Sequence, residues 1–166
     1  SLLREKKRLK LPLVYLDNVF EAMIGSEKLR NISEQGYKLT VNIKSFSFKK
    51  GYPHDTSGNG GGFVFDCRCL PNPGRYEEYK QLCGTDKQVI EYLEKEPEVE
   101  KFYLAAKTMT EQSIDKYKQR KFTFLSVYFG CTGGRHRSVY MAQRLAQELK
   151  KDSKLNVVVQ HVEQNS

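Results

Sequence analysis

The feature that most constrains the fold is an apolar run followed by a glycine-containing loop and an amphipathic helix. Residues 122–129 are apolar nearly throughout, as expected for a strand buried on both faces of a sheet. Residues 139–150 place Ala142, Leu145 and Leu149 on one helical face. A buried strand that leads through a short loop into an amphipathic helix is typical of an α/β fold with a parallel sheet.

Patterns along the rest of the chain predict three more strands and two more helices. The strands are expected at residues 39–48, 63–70 and 156–162. One helix follows Asp86, which can cap it together with Thr85, and a second begins at Pro97, because proline suits the first helical position. The order β, β, α, α, β, α, β predicts a single α/β domain with a mixed, largely parallel sheet and flanking helices.

The N-terminal segment differs in character from the rest of the chain. Five basic residues lie within its first ten positions, and residues 18–24 predict one or two helical turns. We therefore interpret residues 1–36 as a basic linker or N-terminal appendage and residues 37–166 as the ligand-binding domain. Residues 56–62 form a glycine-rich stretch that predicts a flexible loop.

Charge and cysteine spacing narrow the expected partners and compartment. The 28 lysines and arginines exceed the 20 aspartates and glutamates, and the net charge of +8 favours a phosphorylated metabolite or nucleic acid as partner. Cys67, Cys69, Cys83 and Cys131 lack the paired spacing of a zinc site, so we expect free thiols, no metal and no cofactor. No apolar run reaches the roughly 18 residues of a membrane span, so we expect a cytoplasmic protein without a membrane partner.

The segment with the most candidate functional residues lies between the buried strand and the last helix. Residues 130–138 read Gly-Cys-Thr-Gly-Gly-Arg-His-Arg-Ser. The adjacent glycines allow the backbone to approach a ligand closely, and N–H groups converge at the helix N-terminus, where the helix dipole favours an anion. Arg135 and Arg137 can each make a forked contact with phosphate, and Ser138 can cap the helix. Together these features predict a phosphate-binding loop.

Two other interpretations of this segment stay open. In the first, it is a plain strand-to-helix turn whose arginines lie in water. In the second, Cys131 and Arg137 form the Cys-x5-Arg pattern of tyrosine-phosphatase-like enzymes, with the Cys131 thiolate as nucleophile. That enzyme would also need a general acid, for which Asp55 and Asp66 are the candidates. We favour a non-enzymatic binding domain and keep the phosphatase as the alternative.

A second basic surface is predicted outside this segment. Its members are Lys118, Arg120, Lys121, Arg144, Lys150, Lys151 and Lys154. Such a surface could hold the phosphates of RNA, and binding would then depend on salt concentration. No common RNA-binding motif accompanies these residues. Residues 85–121 are rich in Lys, Glu and Tyr, and a solvated helical face explains that region without any partner.

Four separated segments, in this order along the chain, are similar to those of a known family. They are residues 45–51 (Ser-Phe-Ser-Phe-Lys-Lys-Gly), 63–73 (Phe-Val-Phe-Asp-Cys-Arg-Cys-Leu-Pro-Asn-Pro), 84–87 (Gly-Thr-Asp-Lys) and 130–140. With them the chain resembles, over residues 39–162, the C-terminal domain of the RNase adapter protein RapZ family. It departs at Gly74, where the family has a histidine implicated in ligand sensing, and we expect the family's P-loop kinase-like N-terminal domain to be absent.

The resemblance implies a fold similar to part of phosphofructokinase and a regulatory domain that binds an amino-sugar phosphate, glucosamine-6-phosphate. It also implies RNA and an RNase as partners. Nucleotide binding, including ATP, and a homo-oligomer are further expectations. The positions carried over are Lys49, Asp66, Arg68, Cys131, Thr132, Gly133, His136 and Arg137, to which the loop adds Gly134 and Ser138.

The resemblance also suggests a role for each kind of group in this set. Main-chain amides, Lys49 and Arg137 would hold the phosphate, and Asp66 would face an ammonium group or sugar hydroxyls. A lone carboxylate in an apolar strand is costly to bury, so an ion pair of Asp66 with Arg68 or Lys49 is the simpler alternative.

Overall fold

The computed structural model describes residues 36–164, and the structural statements below refer to that part of the chain. The helical turns predicted at residues 18–24 lie outside the described residues, as does nearly all of the predicted N-terminal appendage. The division of the chain at residue 36 therefore stays a prediction.

The described residues contain one sheet of four parallel strands. In chain order these are β1 (Leu39–Ser47), β2 (Phe63–Asp66), β3 (Phe124–Cys131) and β4 (Leu155–His161). They lie in the order β2-β3-β1-β4 across the sheet. Cys131 is paired with Ser47, and Asp66 is paired with Gly130. The carboxyl ends of β1, β2 and β3 therefore meet at one edge of the sheet.

Three helices accompany the sheet in residues 36–164. They are α1 (Lys87–Glu94), α2 (Pro97–Gln119) and α3 (Arg137–Leu149). Short 3-10 turns span Cys67–Cys69, Pro73–Arg75, Glu77–Tyr79 and Val162–Gln164. In this part of the chain, no helix combines the length and the apolar character needed to cross a membrane.

The core lies on one face of the sheet. Val41, Ile43 and Val127 are fully buried on that face, together with Met141 and Leu145 of α3, which packs against β1, β3 and β4. Each such side chain contributes roughly 1.5–3 kcal/mol relative to exposure. The alternate residues of the strands point to the other face, where Val158 is 44% exposed. The apolar core thus holds α3 across the strands and places its first turn at their carboxyl ends.

The structure confirms the α/β fold with a parallel sheet, and it shows helices starting where Asp86 and Pro97 predicted them. The capping prediction for Asp86 is wrong, because its carboxylate accepts the N–H of Cys83 at 2.7 Å and makes no bond to the helix. The β3 strand is shifted by two residues and ends at Cys131. The α3 helix begins two residues earlier than predicted, at Arg137.

The second strand is shorter than predicted. It ends at Asp66 because the Asp66 carboxylate accepts the backbone N–H of Arg68 at 2.9 Å and starts a 3-10 turn. Cys67 and Cys69 therefore do not share a strand face, and Cys67 is buried whereas Cys69 is exposed.

Candidate functional site

The connection that follows β3, residues 132–136 (the β3–α3 loop), lies against the end of β1. The Ser47 hydroxyl donates to the carbonyl oxygen of Thr132 at 2.6 Å. The same hydroxyl oxygen accepts the backbone N–H of Lys49 at 3.2 Å. Ser47 therefore brings Lys49 and Thr132, two predicted site residues that are far apart in sequence, to the same corner of the sheet.

Gly134 sets the path of the β3–α3 loop. Its φ of +71° lies in the left-handed region that favours glycine. A Cβ atom at this position would lie 2.5 Å from Cγ of Glu163 and 2.8 Å from the backbone nitrogen of Ser47. Glu163 forms an ion pair with Lys50 at 2.6 Å. A side chain at position 134 would therefore prevent the loop from packing against the end of β1.

The first turn of α3 has no side-chain cap. His136 occupies the N-cap position without a capping bond, so the prediction that Ser138 caps the helix is wrong. The Ser138 hydroxyl lies 3.1 Å from Sγ of Cys131 instead, in a buried contact. An uncapped helix start leaves its first amides without an intrahelical acceptor, and the helix dipole favours a negative charge nearby. Residues 137–139 are themselves buried, so an anion would approach from the exposed loop residues that precede them.

The residues that precede this helix start are open to solvent. Thr132, Gly133 and Arg135 are exposed. A Cβ atom built on Gly133 would meet nothing within 4 Å. The loop therefore combines Gly134, whose position is fixed by packing, with the exposed residues Thr132, Gly133 and Arg135. We call these three exposed residues the mouth of the β3–α3 loop.

Arg137 is directed into the protein rather than toward solvent. It is 4% exposed, and its Nη1 donates to the carbonyl oxygens of Arg68 and Leu70, both at 3.0 Å. Its Nε is buried and has no hydrogen-bond partner in the described part of the chain. Arg137 thus ties the start of α3 to the turn after β2, and its contact with phosphate stays a prediction.

Asp66 and Arg68 form the ion pair that the simpler interpretation of the sequence expected. Nη2 of Arg68 lies 2.7 Å from Oδ2 of Asp66, and Nε lies 2.9 Å from Oδ1. The guanidinium also stacks on Phe48, with Cζ 4.1 Å from the ring centroid. The hydrogen bond from Arg68 holds the pKa of Asp66 below its usual range, so the carboxylate stays charged at neutral pH. Both side chains are about half exposed and accessible to a ligand.

His136 faces the turn that contains Gly74. Its Nε2 lies 2.8 Å from the carbonyl oxygen of Tyr79. Because a carbonyl oxygen only accepts, Nε2 is the donor in this contact. A Cβ atom at Gly74 would lie 3.4 Å from Nδ1, so a side chain there would crowd the imidazole ring.

Gly84 lies directly behind the helix start. Its N–H donates to the carbonyl oxygen of Arg135 at 2.8 Å. A Cβ atom at Gly84 would lie 2.3 Å from the carbonyl oxygen of His136 and 2.5 Å from the backbone nitrogen of Tyr140. Gly84 is thus a further residue on which the loop geometry depends.

Cys131 is poorly placed for nucleophilic attack. It is 3% exposed and belongs to the end of β3 rather than to the loop, with its thiol against Ser138. The nearby thiol of Cys67 is also buried, and burial raises its pKa well above the usual range. The arginine of the Cys-x5-Arg pattern, Arg137, is engaged with backbone carbonyls.

Several members of the predicted basic surface are paired with acidic residues. Arg144 donates to Glu100 at 2.6 Å, Lys151 lies 2.8 Å from Glu148, and Lys118 contacts Asp152. These ion pairs reduce the positive charge available to an anionic polymer. RNA binding by this surface stays a prediction.

Three residues that shape the site were not selected from the sequence: Ser47, Gly84 and Glu163. Ser47 and Gly84 lay within two of the four segments similar to the family, and that was the available signal. Ser47 and Glu163 act through contacts with the β3–α3 loop across long sequence separations, which no local pattern encodes.

Comparison with known proteins identifies the family. A family profile described as the RapZ C-terminal domain matches residues 39–165. A protein of Ectopseudomonas mendocina named "Nucleotide-binding protein" is 40% identical over 136 residues, which are 82% of this chain and 46% of that relative. A protein of the same name from Pseudothermotoga lettingae is 37% identical over 139 residues, which are 84% of this chain and 48% of that relative. The chain spans less than half the length of these curated relatives. The resemblance inferred from the sequence motifs is confirmed, and the chain belongs to the RapZ C-terminal domain family.

Proposed function

We propose that this domain binds a phosphorylated small molecule, of the amino-sugar phosphate type, at the mouth of the β3–α3 loop. The observation that carries the proposal is the uncapped start of α3 at the carboxyl end of buried parallel strands. Ligands of open α/β sheets bind at this end of the strands, and helix N-termini hold phosphate through backbone amides. The exposed loop residues leave that position open to a ligand.

The surrounding side chains supply complementary groups. Arg135 is exposed and can reach phosphate with a forked contact, and exposed Lys49 supplies a second positive charge. Arg137 fixes the first turn of α3 through its inward hydrogen bonds. The Asp66 carboxylate suits the hydroxyl or ammonium donors of an amino sugar.

The names of the relatives agree with a ligand that carries phosphate. Two proteins that this chain matches are named nucleotide-binding proteins, and each is more than twice as long as the part matched here. The phosphate is the feature that a nucleotide shares with the ligand proposed for this domain. We therefore assign to this chain the phosphate-binding role and not a nucleotide-specific one.

The domain acts in this proposal as a regulatory binding module rather than as an enzyme. Burial of Cys131 and the inward direction of Arg137 argue against a thiolate phosphatase. An assay with an aryl phosphate separates the two: no turnover is expected from wild type or from Cys131→Ser. Turnover by wild type that Cys131→Ser abolishes would favour the phosphatase.

Calorimetric titration tests the binding proposal with glucosamine-6-phosphate, glucosamine and inorganic phosphate. We expect heat of binding from the two phosphate-bearing probes and none from glucosamine. Gly133→Asp places a negative charge where a side chain meets no other atom, and Gly133→Asn is its matched neutral control. The Asp variant should bind glucosamine-6-phosphate about tenfold more weakly than the Asn variant, or about 1.4 kcal/mol. Equal affinities in the two variants, or no binding by either phosphate-bearing probe, would contradict the proposal.

A further inference from the structure

A second cavity lies on the face of the sheet opposite to α3. It has a volume of about 280 Å³ and sits beneath the connection between β1 and β2, residues 48–62 (the β1–β2 loop). Ser126 and Tyr128 of β3 line it from the sheet, and Tyr52 and Asp55 line it from the loop. A single water occupies about 30 Å³ of liquid, so this volume exceeds what one ordered water would fill.

Two hydroxyl groups beside this cavity have no partner. Ser126 is 4% exposed and Tyr128 is 5% exposed, and neither hydroxyl oxygen has a hydrogen-bond partner in the described part of the chain. A buried hydroxyl without a partner is costly, and native structures rarely keep one without a reason. Two such groups, two residues apart on one strand face, point to a partner from outside the described residues 36–164.

The β1–β2 loop forms the second wall of this cavity. Asp55 organises the loop, since its two carboxylate oxygens accept the N–H groups of Ser57 at 2.8 Å and Gly60 at 2.9 Å. Gly62, with φ of +109°, lies beside Ser126 just before β2, where a Cβ atom would lie 2.1 Å from the carbonyl oxygen of Ser126. The hydroxyl oxygens of Ser126 and Tyr128 are shielded from water, so a ligand in the cavity bonds them only if the lining residues shift.

The groups around the cavity define the chemistry of a ligand. Serine and tyrosine hydroxyls both donate and accept, and each Asp55 oxygen has a lone pair left to accept a further donor. Tyr52, 70% exposed, offers an aromatic face at the mouth. Asp55 lines the cavity and is unfavourable for an anion. Lys44 does not line the cavity, but its Nζ lies 5.8 Å from the Tyr128 ring centroid, and this positive charge is unfavourable for a cation beside Tyr128.

From this combination we propose that the cavity beneath the β1–β2 loop is a binding site for a small uncharged polyhydroxyl compound. The Ser126 and Tyr128 hydroxyls bond its hydroxyl groups, Asp55 accepts from them, and Tyr52 packs against its carbon skeleton. This site is separate from the mouth of the β3–α3 loop and differs from it in charge. A negative result for one of the two proposed sites therefore does not count against the other.

Thermal unfolding and NMR of the full chain test this site with glucose, myo-inositol and glycerol as neutral probes and inorganic phosphate as the charged one. We expect the neutral probes to give saturable shifts of the backbone amide signals of residues 60–62 and 126–128, and phosphate to leave those signals unchanged. Tyr128→Phe and Ser126→Ala should abolish these shifts.

Tyr140→Phe is the matched control, because it removes the same hydroxyl from a buried tyrosine whose oxygen accepts from Nη1 of Arg144 at 3.2 Å. Without a probe, we expect Tyr128→Phe to raise the Tm, since an unpartnered group is removed, and Tyr140→Phe to lower it. A Tm decrease in both, without probe-induced shifts, would assign the cavity to ordered water and overturn the proposal. Probe-induced shifts that persist in Tyr128→Phe and Ser126→Ala, or their absence from wild type, would overturn it as well.

Discussion

The β3–α3 loop and the β1–β2 loop both follow parallel strands and both contain glycines, but the glycines serve different purposes. Gly134 in the first loop has φ of +71° and packs against Ser47 and Glu163, so no Cβ atom fits there. Gly61 in the second loop has almost the same φ, +73°, and a Cβ atom there would meet nothing within 4 Å. The first glycine fixes the position of its loop against the sheet. The second supplies only a backbone conformation that other residues adopt at a cost.

The largest expected effect comes from substituting these two glycines by alanine. Gly61→Ala should lower the free energy of unfolding by about 1 kcal/mol, the cost of a left-handed conformation. Gly134→Ala carries the same cost and adds a clash with backbone atoms, so we expect a loss of at least about 3 kcal/mol. Urea unfolding of both variants measures the difference. Equal losses would show that packing against β1 does not distinguish the two loops.

Substitution of Arg137 tests whether its hydrogen bonds to the turn after β2 also hold the β3–α3 loop in place. Arg137→Met removes two hydrogen bonds from a charged donor to the carbonyls of Arg68 and Leu70, which should destabilise the fold by about 2–3 kcal/mol. Exposed Arg135 is the control, and Arg135→Met should change stability by less than about 0.5 kcal/mol. If both variants unfold at the same urea concentration, Arg137 does not hold the loop in place.

Cys67, in the 3-10 turn after β2, should make the free energy of unfolding depend on pH in the alkaline range. Burial raises the pKa of the Cys67 thiol, so the native state keeps the proton when the unfolded state, with a pKa of about 8.5, releases it. Stability should therefore fall as pH rises above about 8.5, by up to about 1.4 kcal/mol per pH unit. Unfolding of wild type and Cys67→Ala at several pH values checks this, with Cys69→Ala as the exposed control. The Cys67 variant should have the shallower slope; parallel slopes in all three proteins would refute the assignment.

The smallest effect is expected from a substitution in the β1–β2 loop. Asp55→Ala removes the acceptor of the Ser57 and Gly60 N–H groups, both in an exposed segment. We expect faster amide hydrogen exchange confined to residues 55–62, with little change in the urea midpoint, because few buried contacts depend on this loop. Exchange rates that match wild type would show that Asp55 does not order the loop.

The sequence was sufficient for the element order, because periodicity and the start signal at Pro97 are local. It overestimated β2, since the bond from Arg68 to Asp66 that ends the strand competes with an apolar pattern favouring a longer one. The sheet order was beyond local reasoning. It depends on which strands pair across long separations, as β1 does with both β3 and β4.

The candidate site was predictable in composition but not in geometry. The glycines and basic residues of residues 130–138 identified the segment, and the Asp66–Arg68 pair was foreseen as one alternative. The direction of Arg137 could not be foreseen, because its acceptor carbonyls lie 69 and 67 residues earlier in the chain. The unpartnered hydroxyls of Ser126 and Tyr128 could not be foreseen either, since hydrogen-bond partners depend on contacts between residues far apart in the sequence.

An NMR titration with inorganic phosphate tests the central claim, that the start of α3 accepts an anion, most directly. The account predicts that the largest, saturable shifts occur at the backbone amides of Gly133 and Arg135, the exposed residues just before the uncapped start of α3. An equal concentration of chloride serves as the control for ionic strength and should not reproduce them. Shifts confined to surface lysines, or identical responses to phosphate and chloride, would contradict the account.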